Sequence, residues 1–178
     1  MATPSDEALF HAYRAGEAAA FETLFARYQA PLARHLERML GDAAAAEDLV
    51  LETFLRLHRH RSRWREDTAI RPWVFTIARN LARNLIRSRR LWGWLPLGSG
   101  QPTASPPAAE GPEVRRRVAD AFAALPPAQR EACSLRLLAE LSLTEIAAVT
   151  GVPVGTVKSR LFHGLRQLRA RLADLAPF

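Results

Sequence analysis

The sequence is poor in cysteine and in long apolar runs, and each shortage excludes a class of protein. Its 178 residues include one cysteine, Cys133, which can form neither an internal disulfide nor a zinc site built from several thiolates. We therefore expect a reducing compartment, the cytoplasm. No stretch of about 18 apolar residues occurs, so no membrane insertion is expected. Residues 1–7 have neither the basic start nor the apolar core of a secretory signal.

The sequence also lacks the usual patterns of catalytic and metal-binding residues. Its five histidines show no paired spacing, since His58 and His60 are two residues apart and do not share a helical face. It has neither a glycine-rich phosphate loop nor a nucleophile elbow. We therefore expect a protein that is not an enzyme and that needs neither a metal ion nor a cofactor.

Lysine is almost absent, and arginine supplies the positive charge. The net charge at pH 7 is +7, and Lys158 is the single lysine among 25 basic residues. A guanidinium forms forked hydrogen bonds to phosphates and to guanine edges. The composition therefore favours an acidic polymer as partner, with nucleic acid ahead of a membrane surface. The alternative is a solvated basic surface with no partner.

Residues 93–112 divide the chain into two halves. They include five prolines, four glycines and one charged residue, a composition typical of a flexible linker. Apolar residues recur at helical spacing on both sides of the linker, and no long period-two pattern is present. One stripe consists of Phe21, Leu24, Phe25, Tyr28 and Leu32. The sequence therefore predicts an all-α fold with two small helical domains, 1–92 and 113–178.

The C-terminal half contains a helix-turn-helix pattern. Ser142 and Glu145 have the spacing of a capping box, and Gly151 stands where a left-handed helix cap is needed. A longer helix begins near Pro153 or Val154, with an apolar stripe at Val157, Leu161, Leu165, Leu168 and Leu172. Its other face presents candidate DNA-binding residues: Thr156, Lys158, Ser159, Arg160, Phe162, His163 and Arg166. The alternative is a plain helical hairpin with a solvated cationic face.

The N-terminal half has one acidic and one basic candidate surface. Asp48 and Glu52 lie four residues apart in the acidic segment 42–52, which fits either a docking surface for a basic protein or an ordinary solvated face. The basic stripe consists of Arg79, Arg83, Arg87 and Arg90. Together with asparagines and the arginine-rich loop 61–68, this stripe fits binding of phosphates and of an unstacked base. The alternative is a cationic helix and a Trp64 that packs inside the protein.

Four motifs occur in a fixed order along the chain: residues 47–55 (EDLVLETFL), 73–82 (WVFTIARNLA), 125–131 (LPPAQRE) and 155–161 (GTVKSRL). In this order they resemble the extracytoplasmic-function (ECF) sigma factors, which are small bacterial transcription initiation factors. The resemblance covers residues 8–92 and 113–172.

The resemblance implies a division of labour between the two domains. The N-terminal domain, like region 2 of the family, would bind the β′ clamp helices of core RNA polymerase and would melt and read the −10 promoter element. The C-terminal domain, like region 4, would read the −35 element through the candidate residues of the helix-turn-helix and would contact the β flap. The linker would pass through the polymerase. An anti-sigma factor would hold the protein inactive.

Motif position implies the individual site residues. Those for the clamp are Glu47, Asp48, Leu51 and Glu52, and those for the −10 element are Arg63, Trp64, Arg65, Asp67, Thr68, Asn80, Arg83, Asn84 and Arg87. The sequence departs from the family pattern at five positions: Leu51 replaces the usual glutamine, Asn84 a frequent aspartate, Leu143 a tyrosine, Pro153 a capping serine and His163 a frequent arginine.

Two other functions fit parts of the pattern. A stand-alone helix-turn-helix regulator would bind a palindrome as a dimer, which needs an apolar dimerisation face that the sequence does not offer. A protein-interaction adaptor with incidental basic faces would show no sequence preference for DNA. Trp92 and Trp94 fit either a seal at the end of the last N-terminal helix or an exposed partner site.

Overall fold

The computed structural model describes residues 4–65, 68–91 and 111–175, which form eight α-helices and one short 3-10 helix and include no strand. The predicted all-α class is confirmed. Trp92, Trp94, Asp67 and most of the predicted linker lie outside the described residues. The α-helices are α1 (Asp6–Arg14), α2 (Ala18–Leu40), α3 (Ala43–Arg59), α4 (Ile70–Leu91), α5 (Pro112–Ala123), α6 (Pro127–Leu137), α7 (Leu143–Thr150) and α8 (Val154–Arg171).

Local capping residues fix the ends of the N-terminal helices. The Ser5 side chain accepts a hydrogen bond from the backbone N–H of Ala8 at 3.1 Å, which begins α1. Gly41 ends α2 in the left-handed conformation, with φ of 68°, which glycine adopts without a steric penalty. Asp42 then begins α3 by accepting from Ala45 N–H at 3.0 Å. That bond and the Arg89 guanidinium hold the pKa of Asp42 below its usual range.

Helices α1–α4 form a bundle around an aromatic and aliphatic core. In the predicted stripe of α2, Leu24, Tyr28 and Leu32 are buried. Phe21 and Phe25 are partly buried and pack against the ring of Phe54 on α3. The helical periodicity therefore identified the core face of α2.

The C-terminal helices include the predicted helix-turn-helix. Both hydrogen bonds of the capping box between Ser142 and Glu145 are present, and Gly151 ends α7 with φ of 69°. Helix α8 follows from Val154, after Pro153, which caps it without a side-chain hydrogen bond. Upstream, Gly111 and Pro112 belong to the start of α5 rather than to a linker.

The prediction that Leu165 lies on the core face of α8 is wrong. Leu165 is exposed, whereas its neighbour Gly164 is buried. A methyl group at Gly164 would lie 2.5 Å from the Sγ atom of Cys133 on α6. Because α8 lies against α6 at this glycine, Leu165, one residue further along, is turned away from the interior. Burial raises the pKa of the Cys133 thiol to about 11, in keeping with the predicted role of a small core residue.

The two sets of helices pack directly against each other. Helix α6 lies on α2 and α7 lies on α4, so that buried apolar residues of α1–α4 and of α5–α8 belong to one continuous cluster. Polar contacts cross the same boundary. The Nδ1 atom of His35 on α2 lies 2.7 Å from the hydroxyl of Ser134 on α6, and both side chains are buried. We call this arrangement the closed packing.

Candidate nucleic-acid and partner interfaces

Helix α3 presents a mixed acidic and apolar surface. Glu47, Asp48 and Leu51 are exposed, and Glu52 is partly exposed and pairs with Arg56 at 2.7 Å. Leu55 lies one turn beyond Leu51. Both side chains are more than half exposed: 55% of Leu51 and 51% of Leu55 is accessible to solvent. Two exposed leucines beside carboxylates fit a partner that offers apolar and basic side chains. We call residues 47, 48, 51, 52 and 55 the α3 surface.

Leu55 was missed by the sequence reasoning. Its spacing of four residues from Leu51 places both on one helical face. Neither residue falls on the core stripe of α3, which includes Val50, Phe54 and Leu57. An apolar pair off the core stripe is therefore the signal that would have found it.

Trp64, which the sequence assigned either to the −10 element or to the protein interior, is buried. Its side chain is 5% exposed and its ring lies edge-on to Phe10 at 5.1 Å. Its indole N–H donates to the backbone carbonyl of Thr68 at 2.8 Å. Because the ring is packed inside the bundle, it supports the loop and does not face an open base pocket. Arg63, Arg65 and Thr68 around it are exposed.

Helix α4 brings together four of the predicted −10 residues on one face. Asn80, Arg83, Asn84 and Arg87 are all exposed, and they follow the i, i+3, i+4, i+7 spacing of a single helical stripe. The Arg87 guanidinium donates to the Asn84 side-chain oxygen at 3.3 Å. The face therefore combines two amides, which can hydrogen-bond a base, with two guanidinium groups, which can bind phosphates. We call these four residues the α4 face.

Arg79 does not extend the α4 face as the basic stripe predicted. Its Nε atom lies 2.7 Å from the Oε1 atom of Glu131 on α6, and its Nη2 atom lies 3.4 Å from the other carboxylate oxygen. Both side chains are largely buried. The sequence reasoning could not find this pair because its members are 52 residues apart.

Helix α8 exposes most of the residues predicted for DNA recognition. Phe162 is 64% exposed and contacts the ring of His163 edge-on, so it does not pack on the preceding helix. Arg160 is partly buried, whereas the others, Thr156, Lys158, Ser159, His163 and Arg166, are exposed. A helix-turn-helix presents such residues to the major groove, where phosphates, base edges and thymine methyl groups are accessible. We call these seven residues the α8 face.

A metal-binding cluster and a membrane-spanning helix are both absent from the residues that the structure describes, 4–65, 68–91 and 111–175. No group of three or more histidine, cysteine, aspartate or glutamate side chains is arranged there to hold a metal ion. None of the helices in those ranges is both long and apolar enough to cross a membrane.

The fold and its exposed faces define an all-helical protein with a helix-turn-helix unit at its C-terminal end. Two family models match it in order: "Sigma-70 region 2" over residues 24–91 and "Sigma-70, region 4" over residues 115–168. The ECF RNA polymerase sigma factor SigL of Mycobacterium tuberculosis is 38% identical over 90% of this chain and 93% of its own. The chain therefore belongs to the ECF RNA polymerase sigma factors.

Solved structures resemble the whole fold. CnrH, solved in complex with the cytosolic domain of CnrY, has a TM-score of 0.74 and 25% identity, over 97% of this chain and 100% of its own. The sigma factor RpoE of Bartonella quintana, solved with the anti-sigma factor NepR, has a TM-score of 0.69 and 26% identity, over 80% of this chain and 89% of its own. The match to CnrH covers helices α1–α4 and helices α5–α8 together.

Proposed function

We propose that this chain binds core RNA polymerase as its ECF sigma factor and directs it to promoters that carry −35 and −10 elements. Residues 1–92 bind the polymerase and the −10 element, helices α5–α8 bind the −35 element, and the segment between α4 and α5 connects them. The observation that carries the proposal is the coexistence of three exposed surfaces on separate helices: the α3 surface, the α4 face and the α8 face. A protein that only bound DNA would have no use for the first.

The α8 face reads the −35 element in the major groove. Lys158 and Ser159 hydrogen-bond base edges, and Phe162 contacts a thymine methyl group. Arg160 and Arg166 bind phosphates and set the register of the helix, with Thr156 at its N-terminal end and His163 beside Phe162.

The α4 face captures a base of the opened −10 element. Unstacking costs about 1.4 kcal/mol per base-pair step. Hydrogen bonds from Asn80 and Asn84 to the unstacked base, together with phosphate contacts of Arg83 and Arg87, offset that cost. Arg63, Arg65, Asp67 and Thr68, which precede α4 in the chain, contact the same strand, and Trp64 packs inside the bundle. This action is binding rather than catalysis, and it uses neither a metal ion nor a cofactor.

The α3 surface docks on the β′ clamp helices of the polymerase. Glu47, Asp48 and Glu52 provide negative charge, while Leu51 and Leu55 provide apolar area that docking would bury. The substitution of leucine for the usual glutamine at position 51 makes this contact more apolar than the family pattern. The C-terminal helices contact the β flap.

Control by an anti-sigma factor follows from the likeness to RpoE, which was solved with one. Such a partner keeps this chain from the polymerase until it is released. Because its targets are the bacterial polymerase and chromosome, the chain acts in the cytoplasm.

Run-off transcription tests the proposal. The purified chain is mixed with bacterial core RNA polymerase and a genomic promoter library, and the initiating fragments are sequenced. We expect core-dependent initiation at fragments that share two elements. Tight DNA binding by the chain alone, without core-dependent initiation, would instead favour the stand-alone helix-turn-helix regulator.

A further inference from the structure

The Arg79–Glu131 ion pair joins the N-terminal to the C-terminal helices. Arg79 precedes Asn80 of the α4 face and lies one turn before Arg83. The side chains of Arg79 and Glu131 are 13% and 11% exposed, and two donor–acceptor contacts join them, at 2.7 Å and 3.4 Å. The closed packing therefore neutralises an arginine at the edge of a face proposed to bind DNA.

Two backbone carbonyl groups at the C-terminal end of α6 also accept hydrogen bonds from arginines of the N-terminal helices. Leu138 and Ala139 are the two residues that follow α6, and their backbone carbonyl groups face the N-terminal helices. Arg34 on α2 donates to the first at 3.3 Å, and Arg71 on α4 donates to the second at 2.5 Å. Because a helix C-terminus carries partial negative charge, cations are favoured there. Glu131, within α6 itself, adds a full negative charge.

The closed packing cannot persist on a promoter with both elements. A compact chain of this length has a diameter of about 40 Å. The −10 and −35 elements are centred about 25 base pairs apart, or about 85 Å at about 3.4 Å per base pair. Helix α6 must therefore leave α4 when both elements are bound, and Arg79 then loses Glu131.

We propose that Arg79 is a further DNA-backbone contact, which Glu131 withholds in the closed chain by occupying the guanidinium as a phosphate would. On opening, Arg79 exchanges the carboxylate for a phosphate of the −10 strand. The inference rests on the proposed function for the identity of the DNA partner.

The loss of the closed packing is measured on the full chain without polymerase. Donor and acceptor dyes are attached at Glu22→Cys on α2 and Ala170→Cys on α8, both exposed positions, and single-molecule energy transfer reports their separation. We expect Glu131→Gln and Arg79→Gln each to increase the long-distance population. The charge swap Arg79→Glu/Glu131→Arg restores the closed population. Arg89→Gln is the matched control, because it breaks an ion pair of the same helix with Asp42 that lies within the N-terminal helices.

DNA binding then distinguishes two roles of Arg79. In the first, its ion pair with Glu131 only holds the closed packing; in the second, Arg79 also binds a DNA phosphate once the pair is broken. The probe is a 20-nucleotide single strand of mixed sequence. We expect Glu131→Gln to bind it about 3- to 10-fold more tightly than the unmodified chain at low salt, because it frees Arg79. Arg79→Gln opens the chain equally but removes the contact. The slope of log K against log salt should therefore be steeper for Glu131→Gln than for Arg79→Gln by about 0.7, the value for one phosphate on single-stranded DNA.

Two results would overturn the inference. Equal affinities and equal salt slopes for the two variants would show that Arg79 makes no DNA contact. An unchanged dye separation in Arg79→Gln would show that the ion pair does not hold the closed packing, and this variant decides the matter even where Glu131→Gln fails to fold. Run-off transcription is scored separately. A chain that is inactive with core polymerase would refute the proposed function, but it would leave the measured dye separation and the DNA-binding salt slopes unaffected.

Discussion

His35 and Ser134 are hydrogen-bonded at 2.7 Å across the closed packing, although 99 residues separate them along the chain. The imidazole is fully buried between α2, α4 and α6. Its charged or titratable neighbours are Arg79 from α4 and, through the ion pair, Glu131 from α6. Burial, reinforced by the positive charge of Arg79, lowers the pKa of His35 from 6.5 to about 3.

The closed protein should therefore lose stability in mild acid. His35 is neutral when buried, but in the unfolded chain it takes up a proton below a pKa of about 6.5. Its contribution is thus complete above pH 6.5 and is lost as the pH falls from 6.5 toward 3. We expect the free energy of unfolding to fall by about 2 kcal/mol between pH 6.5 and pH 5 on account of this residue.

Urea unfolding at pH 7.5 and pH 5.0 measures this effect. His35→Gln is the control variant, because its amide can still bond to Ser134 but does not titrate. The variant should show a smaller difference between the two pH values than the unmodified chain. An identical difference in both proteins would contradict the assignment to His35.

Lys158→Ala should weaken binding to −35 DNA without changing binding to core polymerase. Lys158 is exposed on the α8 face, and removal of one base contact costs about 1–3 kcal/mol, or roughly 5- to 150-fold in affinity. Fluorescence anisotropy with a −35 duplex from the transcription screen and a core pull-down give the two readings. Equal losses in both assays would refute the division of labour between the two ends of the chain.

The opposite pattern is expected for the α3 surface. Leu51→Ala/Leu55→Ala removes two exposed apolar side chains and should reduce the affinity for core polymerase at least 10-fold, because docking would bury them. Binding to duplex DNA should stay unchanged. Leu91→Ala is the control, since Leu91 is a more exposed leucine at the end of α4. An equal loss of core binding in the control would show that the effect is not specific to α3.

Local signals in the sequence account for the features that were predicted well. The start and end of α7 depend on Ser142, Glu145 and Gly151, which act within a few residues of one another. Helical periodicity identified the core face of α2 because it, too, depends on residues that are close together in the sequence. Arg79 and Trp64 were placed differently because their partners, Glu131 and Phe10, are 52 and 54 residues away in the sequence. Periodicity shows which face of a helix is polar, but it does not show what covers that face.

The contact between Gly164 and Cys133 provides a test of the packing of α8 on α6. Gly164→Ala places a methyl group 2.5 Å from the Cys133 sulfur, and overpacking of this kind costs about 1–3 kcal/mol. The double variant Gly164→Ala/Cys133→Ala removes the sulfur and should recover most of the loss. Gly155→Ala is the matched control in the same helix, because a methyl group there meets no atom within 4 Å.

Thermal and urea unfolding of these variants give the free-energy differences. Gly155→Ala should raise stability by up to about 1 kcal/mol, since alanine has the higher helix propensity. Gly164→Ala alone should lower it despite the same gain in propensity. If Gly164→Ala were as stable as Gly155→Ala, helix α8 would not approach α6 at Cys133, and the exposure of Leu165 would need another cause.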